Sequence, residues 1–244
     1  LADGSIDREE LNWLHERRLK EQAEADHLLV PSEHLAQGLV ERGIPRERVE
    51  VIPYAADVER FRPEPGKRPA DRCTFLFAGG ITQRKGIKDL LDAWDLVRRP
   101  GWTLQLLGAL PRDPGPLTGR LEHVEWLGQV GHAEMPARMA SADVFVFPSL
   151  FEGSAVVTYE ALASGLPTIT TAESGSVVRE GLDGFVVPAA DPRSLAERME
   201  RLGTDLELRA FMARSARTRA LEFDWTRYQD SIERVIRRVL SFGS

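Results

Sequence analysis

Short runs of apolar, β-branched and aromatic residues alternate along this chain with longer stretches that are apolar on one face only. The runs "TFLFAGG" (74–80), "TLQLLGA" (103–109), "VEWLG" (124–128), "DVFVFPS" (143–149), "PTITT" (167–171) and "GFVVP" (184–188) are strand candidates. Helical periodicity fills the intervals at 85–99, 132–141, 155–165 and 175–181, then gives three consecutive helices at 191–202, 205–221 and 225–241. Runs such as "FVFP" carry no polar face, as parallel strands covered on both sides should. The alternation predicts an α/β fold, a Rossmann-like three-layer α/β/α sandwich around a parallel sheet of about six strands. In such sheets ligands bind outside the carboxyl ends of the strands, beside helix N-termini. That puts the segments after Phe77, Phe147 and Thr171 at one rim.

Residues 1–61 read as a separate block. A charged helix ("REELNWLHERRLKEQAEA") leads to a short strand "DHLLVPS", a helix "EHLAQGLVERG" and a second strand "VEVIPYA". The Pro/Gly-rich "RPEPGKRPADR" (62–72) reads as an interdomain linker, and residues 73–222 as the main domain. Residues 223–244 form a terminal helix. The chain opens on Leu1 without a Met, so the first block is expected to be the tail of a preceding domain.

Composition narrows the function class. At 244 residues the chain can bury a sizeable core, and its net charge of −6 offers no footprint for general nucleic-acid binding. The single cysteine, Cys73, excludes an internal disulfide framework and fits a reducing, cytoplasmic compartment. No run of about 18 apolar residues exists to span a membrane, and no signal peptide is visible. None of His15, His27, His34, His123 and His132 stands in a metal-binding spacing, and there is no Asp-x-Asp. No catalytic role falls to any of these histidines; His132 reads as the start of a helix.

Three stretches carry candidate chemistry. In "FAGGITQRKGIKDLL" (77–91) a buried strand ends in Gly79-Gly80, and Arg84-Lys85 precede Gly86 and a helix. Paired glycines admit a bulky group close to the backbone, and two cations beside a helix N-terminus suit a pyrophosphate. A glycine turn with solvated charges is the plainer alternative. The loop is not a Walker A, and no GxGxxG occurs. In "PSLFEGSAVVTYEALASGLP" (148–167) small residues Gly153 and Ser154 lead into a helix, with Glu152 before it and Glu160 inside it. Spacing alone favours a dipole-complementing acid and a solvent-facing one; two acceptors for vicinal hydroxyls flanking a helix-bound phosphate is the functional alternative. In "TTAESGSVVREGLDGFVVPAADP" (170–192), Glu173, Ser174 and Gly175 sit at the same rim, and Asp183-Gly184 reads as a hairpin-like turn and nothing more.

Taken in order, these motifs resemble the retaining, GT-B-fold glycosyltransferases of family 4. "GGITQRKG" resembles the family's G-G-x(3)-R-K-G pyrophosphate loop, and "FEGSAVVTYEALASGLP" its E-x7-E segment. "GSVVREGLDGFVVP" resembles its G-x(2)-E-x-V-x-(D/N)-G-x-x-G-x-L-V stretch. "ADHLLVPSEHLAQGL" and "VIPYAADVERFRP" are similar to the end of the acceptor domain and the crossing linker, and "FDWTRYQDSIERVI" to the helix that packs back toward it. The likeness covers nearly the whole chain. The family often reads E-G-F-G where this chain has Glu152-Gly153-Ser154-Ala155.

The resemblance implies one half of a GT-B fold, residues 73–222, that binds a UDP- or GDP-sugar without a resident cofactor or metal. Arg84 and Lys85 would contact the donor pyrophosphate and stabilise the leaving group. Glu160 would accept ribose hydroxyls, and Glu152 hydroxyls of the transferred sugar. Backbone groups of Gly79, Gly80, Gly153, Ser154 and Ala155 would lie near sugar and phosphate, and Val130 would touch the base. Most of the acceptor domain is expected to be missing, so the chain alone should bind donor and transfer little. The acceptor, be it sugar, lipid or small molecule, is unassigned, and peripheral contact with the inner membrane face would run through the missing domain. Two rivals stand beside this reading: a non-catalytic nucleotide-sugar-binding module, and a sugar epimerase or phosphorylase on the same plan.

Overall fold

The computed structural model describes residues 8–64, 71–112, 117 and 119–241. A charged helix α1 (Arg8–Glu24) leads into a small parallel unit, β1 (Leu28–Val30), α2 (Glu33–Glu41) and β2 (Val49–Val51). Its core of Ala36, Leu39 and Val49 is separate from the main one. Ser32 begins α2 as a capping residue: its Oγ accepts from the Leu35 N–H at 3.3 Å. Of the predicted linker, residues 65–70 lie outside the described residues.

The main body alternates strand and helix as the pattern predicts. Its elements are β3 (Cys73–Ala78), α3 (Ile87–Val97), β4 (Trp102–Leu107), β5 (Glu125–Gly128), α4 (Met135–Ala140), β6 (Val144–Phe147), α5 (Val156–Ala163), β7 (Thr168–Thr171) and β8 (Gly184–Val187). Helices α6 (Pro192–Thr204), α7 (Leu206–Ala220) and α8 (Trp225–Ser241) follow. The six strands pair in parallel in the order β5-β4-β3-β6-β7-β8. Every residue of β6 and β7 is buried, which explains why neither carries a polar face. Phe77 stacks on Phe147, and Phe147 on Phe145, with ring centroids 5.8 and 6.1 Å apart.

Residues between β2 and the linker already belong to this body. Phe61 is fully buried in its core, and Arg217 of α7 donates to the carbonyls of Val58, Phe61 and Ala163 at 2.8–2.9 Å. Helix α8 packs its Tyr228 on Tyr54 of this stretch and returns to the N-terminal unit, where Arg238 pairs with Glu50 of β2.

Two helices start two or three residues later than the sequence reading has them, and one does not form. Predicted helix 85–99 begins only at Ile87, after a 3₁₀ turn over Gln83–Lys85 that ends at Gly86 (φ 71°). Predicted helix 132–141 is α4, with His132 in the turn before it and Pro136 in its first turn. Predicted helix 175–181 does not form. Ser174 and Ser176 accept hydrogen bonds from the N–H groups of Ser176 and Val178, which draws the backbone away from a helix.

Candidate functional site

The chain leaves β3 toward β4 on one side and returns to β6 on the other, so the strand order reverses between β3 and β6. A crevice of about 500 Å³ opens at the carboxyl ends of these strands. Gly79, Gly80, Lys85, Val130, Glu152, Ser154 and Ala155 line it, together with Val156 and Val157 at the start of α5. Two glycines create its floor. A Cβ on Gly108 would lie 1.8 Å from the Gly79 carbonyl oxygen, so the turns after β3 and β4 meet backbone to backbone. Gly86 does the same at the rim: its Cβ would sit 1.9 Å from the Pro148 oxygen, pinning the basic turn against the end of β6. Two bonds to the Arg84 carbonyl complete that joint, from the Leu150 N–H at 2.9 Å and the Ser149 hydroxyl at 3.1 Å.

That joint brings the three residues of greatest interest together. Arg84 Nη1 donates to Glu152 Oε1 at 2.6 Å, Lys85 Nζ pairs with the same oxygen, and Ser149 Oγ reaches it at 3.4 Å. Lys85 also lies 5.1 Å over the Phe147 ring. Lys85 and Glu152 are largely buried, with side chains 16% and 14% exposed, whereas Arg84 is 55% exposed. Lys85 is thus not a solvated surface charge, Arg84 is paired although exposed, and Glu152 is not a simple dipole complement: all three form one cluster at the mouth of the crevice.

The loop carrying Glu152 is clamped from β7. Glu152 N–H donates to Glu173 O at 2.8 Å, Ala155 N–H to Ser174 O at 3.0 Å, and Ser154 Oγ to Gly175 O at 2.8 Å. The rim residues Glu173, Ser174 and Gly175 therefore act through backbone groups as a buttress. The Ser154 hydroxyl is further engaged with Tyr159 at 2.9 Å. Gly153 turns toward the N-terminal unit, where its carbonyl accepts from Ser32 Oγ at 2.6 Å. Ala155, the N-cap of α5, has no side chain able to cap the helix.

Glu160 stands apart from the crevice lining, one turn beyond Val156 on α5, and it is buried rather than solvent-facing. His132 Nε2 meets its Oε1 at 3.2 Å. Arg60 holds His132 from behind, with Nη1 2.9 Å from Nδ1 and Nη2 donating to the His132 carbonyl at 2.6 Å. Sequence reasoning gave His132 no role and did not single out Arg60. No spacing links positions 60, 132 and 160, so only the fold reveals the chain of contacts.

Burial pushes the Glu160 carboxyl above the usual glutamate range, with the His132 hydrogen bond and the nearby Arg60 charge pulling part of the way back. The folded chain therefore holds this proton more tightly than the unfolded chain. That preference favours folding below about pH 4.5, the ordinary glutamate value, and is lost as pH rises through the folded pKa. At neutral pH the ionised Glu160 is a cost. Glu160→Gln should raise stability at pH 7 by about 0.5–2 kcal/mol, with the gain shrinking toward pH 4. Denaturant titrations at both pH values check this, and a less stable variant at pH 7 would contradict it.

Among the described residues, no group of three or more His, Cys, Asp or Glu side chains is placed to hold a metal ion, and no helix is long and apolar enough to cross a membrane. Residues 72–205, more than half of the chain, match the family model described as Glycosyl transferases group 1. A putative colanic acid biosynthesis glycosyltransferase of Escherichia coli K12 (WcaL) is 31% identical over 73% of this chain and 48% of its own. The chain spans about half the length of the curated relatives it matches. Among solved structures, sucrose-phosphate synthase from Thermosynechococcus elongatus superposes with a TM-score of 0.80 at 24% identity, over 99% of this chain and 64% of that one. Anabaena HepE in complex with UDP and glucose gives 0.78 at 18% identity, over 96% and 68%. The doubly wound parallel sheet is thus the Rossmann-like half of a GT-B architecture, and the chain belongs to the group 1 glycosyl transferase family.

Proposed function

We propose that this chain forms the nucleotide-sugar site of a retaining glycosyltransferase that moves a hexosyl group from a UDP- or GDP-sugar to an acceptor. The observation that carries the reading is the convergence of Lys85, Arg84 and Glu152 at the mouth of the switch-point crevice. A diphosphate entering beside α5 meets the positive end of the helix and two cations on one side. The leaving nucleoside diphosphate gains charge as the sugar departs, so fixed cations stabilise the transition state more than the ground state. Glu152 exchanges its ion pairs for hydroxyls of the transferred sugar. Glu160 offers carboxylate oxygens to the ribose diol, and Val130 borders the volume left for the base. HepE, whose fold this chain shares, holds UDP and glucose, which supports a uridine donor as the first to test.

A thermal-shift panel of UDP, GDP, ADP and their hexosyl derivatives, followed by calorimetry, tests the reading. A ligand at 100 times its Kd adds about 2.7 kcal/mol, which for a chain of this size raises the melting midpoint by roughly 5–10 °C. A folded chain that shows neither a shift nor heat with any nucleoside diphosphate or nucleotide sugar refutes it.

A further inference from the structure

We infer that His132, oriented by Arg60, is a positioning residue that fixes the Glu160 carboxylate and thereby sets how strongly the site prefers ribose to 2′-deoxyribose. The inference rests on the reading in which Glu160 receives the ribose hydroxyls. It starts from a donor count. A guanidinium carries only donors, so the 2.9 Å contact between Arg60 Nη1 and His132 Nδ1 requires Nδ1 to accept. The ring proton therefore resides on Nε2, the atom 3.2 Å from Glu160 Oε1, and is donated there. A proton on Nδ1 would set two donors face to face and break the Arg60 contact.

The ring is held on its other sides as well. Arg60 Nη2 bonds the His132 carbonyl at 2.6 Å, and the buried Phe61 ring meets the imidazole edge-on at 5.9 Å. Arg60 and Glu160 are the charged groups shown against His132, one from the segment after β2 and one from α5. Three segments far apart in sequence thus meet in one chain of contacts that ends on a single carboxylate oxygen. An ionised carboxylate has about four acceptor positions, so a bond from His132 still leaves room for two hydroxyl donors. With Oε1 tied, the carboxylate plane is set before the ligand arrives, and less rotamer entropy is lost on binding.

The test compares UDP with 2′-deoxy-UDP, and GDP with 2′-deoxy-GDP, by calorimetry on the 244-residue chain. The unsubstituted chain should bind the ribonucleotide about tenfold or more tightly than its deoxy analogue, the effect of one hydrogen bond to a charged acceptor. His132→Ala should cut that ratio to about threefold or less while leaving the affinity for the deoxy analogue nearly unchanged. His132→Gln, whose amide can donate to Glu160 and accept from Arg60, should restore most of it, and Arg60→Met should reduce it. His132 and Arg60 are both exposed, so none of these changes threatens the fold. A ratio that survives His132→Ala but collapses in Glu160→Gln overturns the positioning role and leaves the ribose assignment standing. A ratio unchanged in Glu160→Gln overturns that assignment, and no binding of any nucleoside diphosphate overturns both.

Discussion

Lys85→Ala should weaken nucleoside diphosphate binding by about 10- to 100-fold, the usual loss for a charge-assisted bond to phosphate made in a partly dry site. Arg84→Ala should cost several-fold less. Both side chains reach the same Glu152 oxygen, but Lys85 is mostly buried against Phe147 while Arg84 stands more than half in solvent. A charge screened by water contributes less than one enclosed by protein. Affinity for the bare nucleoside should stay within about twofold in both variants, because neither cation lies beside Val130 in the proposed placement. Glu152→Gln should act in the opposite sense on bare diphosphate. Its carboxylate competes with phosphate for the two cations, so neutralising it frees them and should tighten UDP or GDP binding by several-fold. The same change removes the proposed acceptor for sugar hydroxyls, so the nucleotide sugar should gain nothing. Calorimetry on the three variants with nucleoside, nucleoside diphosphate and nucleotide sugar checks all three signs. Equal losses for nucleoside and diphosphate in Lys85→Ala would remove the pyrophosphate role.

The layers of the fold were legible because burial on both faces leaves a mark that local sequence can carry. "TFLFAGG" and "DVFVFPS" are apolar without alternation, and they became the two central strands that flank the switch point. The rim position of the two acidic and basic segments followed from that topology. What local sequence could not carry was the pairing across it. Arg84 and Glu152 are 68 residues apart and meet only once β3 and β6 lie side by side, while Arg60 and His132, 72 apart, meet where the segment after β2 reaches the turn before α4. The segment 175–181 failed for a different reason. Its apolar spacing resembles a helix, but serine hydroxyls at 174 and 176 satisfy the local backbone, and Gly175 takes the left-handed conformation (φ 62°), which a right-handed helix excludes. In "REGLDG" the reading of a hairpin-like turn was right that the chain turns, but β8 runs parallel to β7 and makes no hairpin, and it missed the stakes. Arg179 and Asp183 stand four apart, a visible ion-pair spacing, yet nothing local announced that Asp183 would be completely enclosed.

That enclosure makes Asp183→Ala the substitution with the largest expected effect on stability, a loss of about 3 kcal/mol. Asp183 accepts four hydrogen bonds: from the Arg179 backbone N–H at 3.1 Å, from Arg179 Nε and Nη2 at 2.8 Å each, and from Ser215 Oγ at 2.7 Å. Its own carbonyl accepts from the Thr168 N–H at 3.1 Å, which ties the turn to the start of β7. Alanine would leave those donors facing an apolar methyl group while α7, which carries Ser215, loses its tether to the sheet edge. For a chain of this size the melting midpoint should fall by roughly 6–12 °C. Burial alone would raise the Asp183 carboxyl, but its bonds from Arg179 and Ser215 outweigh that and hold it below the ordinary aspartate value of 3.8. A group lowered in the folded state contributes stability above its unfolded pKa and loses it as pH falls through the folded one. The parent chain should therefore lose this contribution only below about pH 4, and the stability curves of parent and Asp183→Ala should approach each other there. Curves that stay parallel to low pH would show that shape, not charge, is what Asp183 supplies. The carboxylate stands behind the β7 clamp and touches none of the crevice, so diphosphate affinity measured well below the variant's midpoint should match the parent within about twofold. A large affinity loss in a folded Asp183→Ala would instead show that the clamp on Glu152 depends on this anchor, and that the stability of the sheet edge and the readiness of the site are one property.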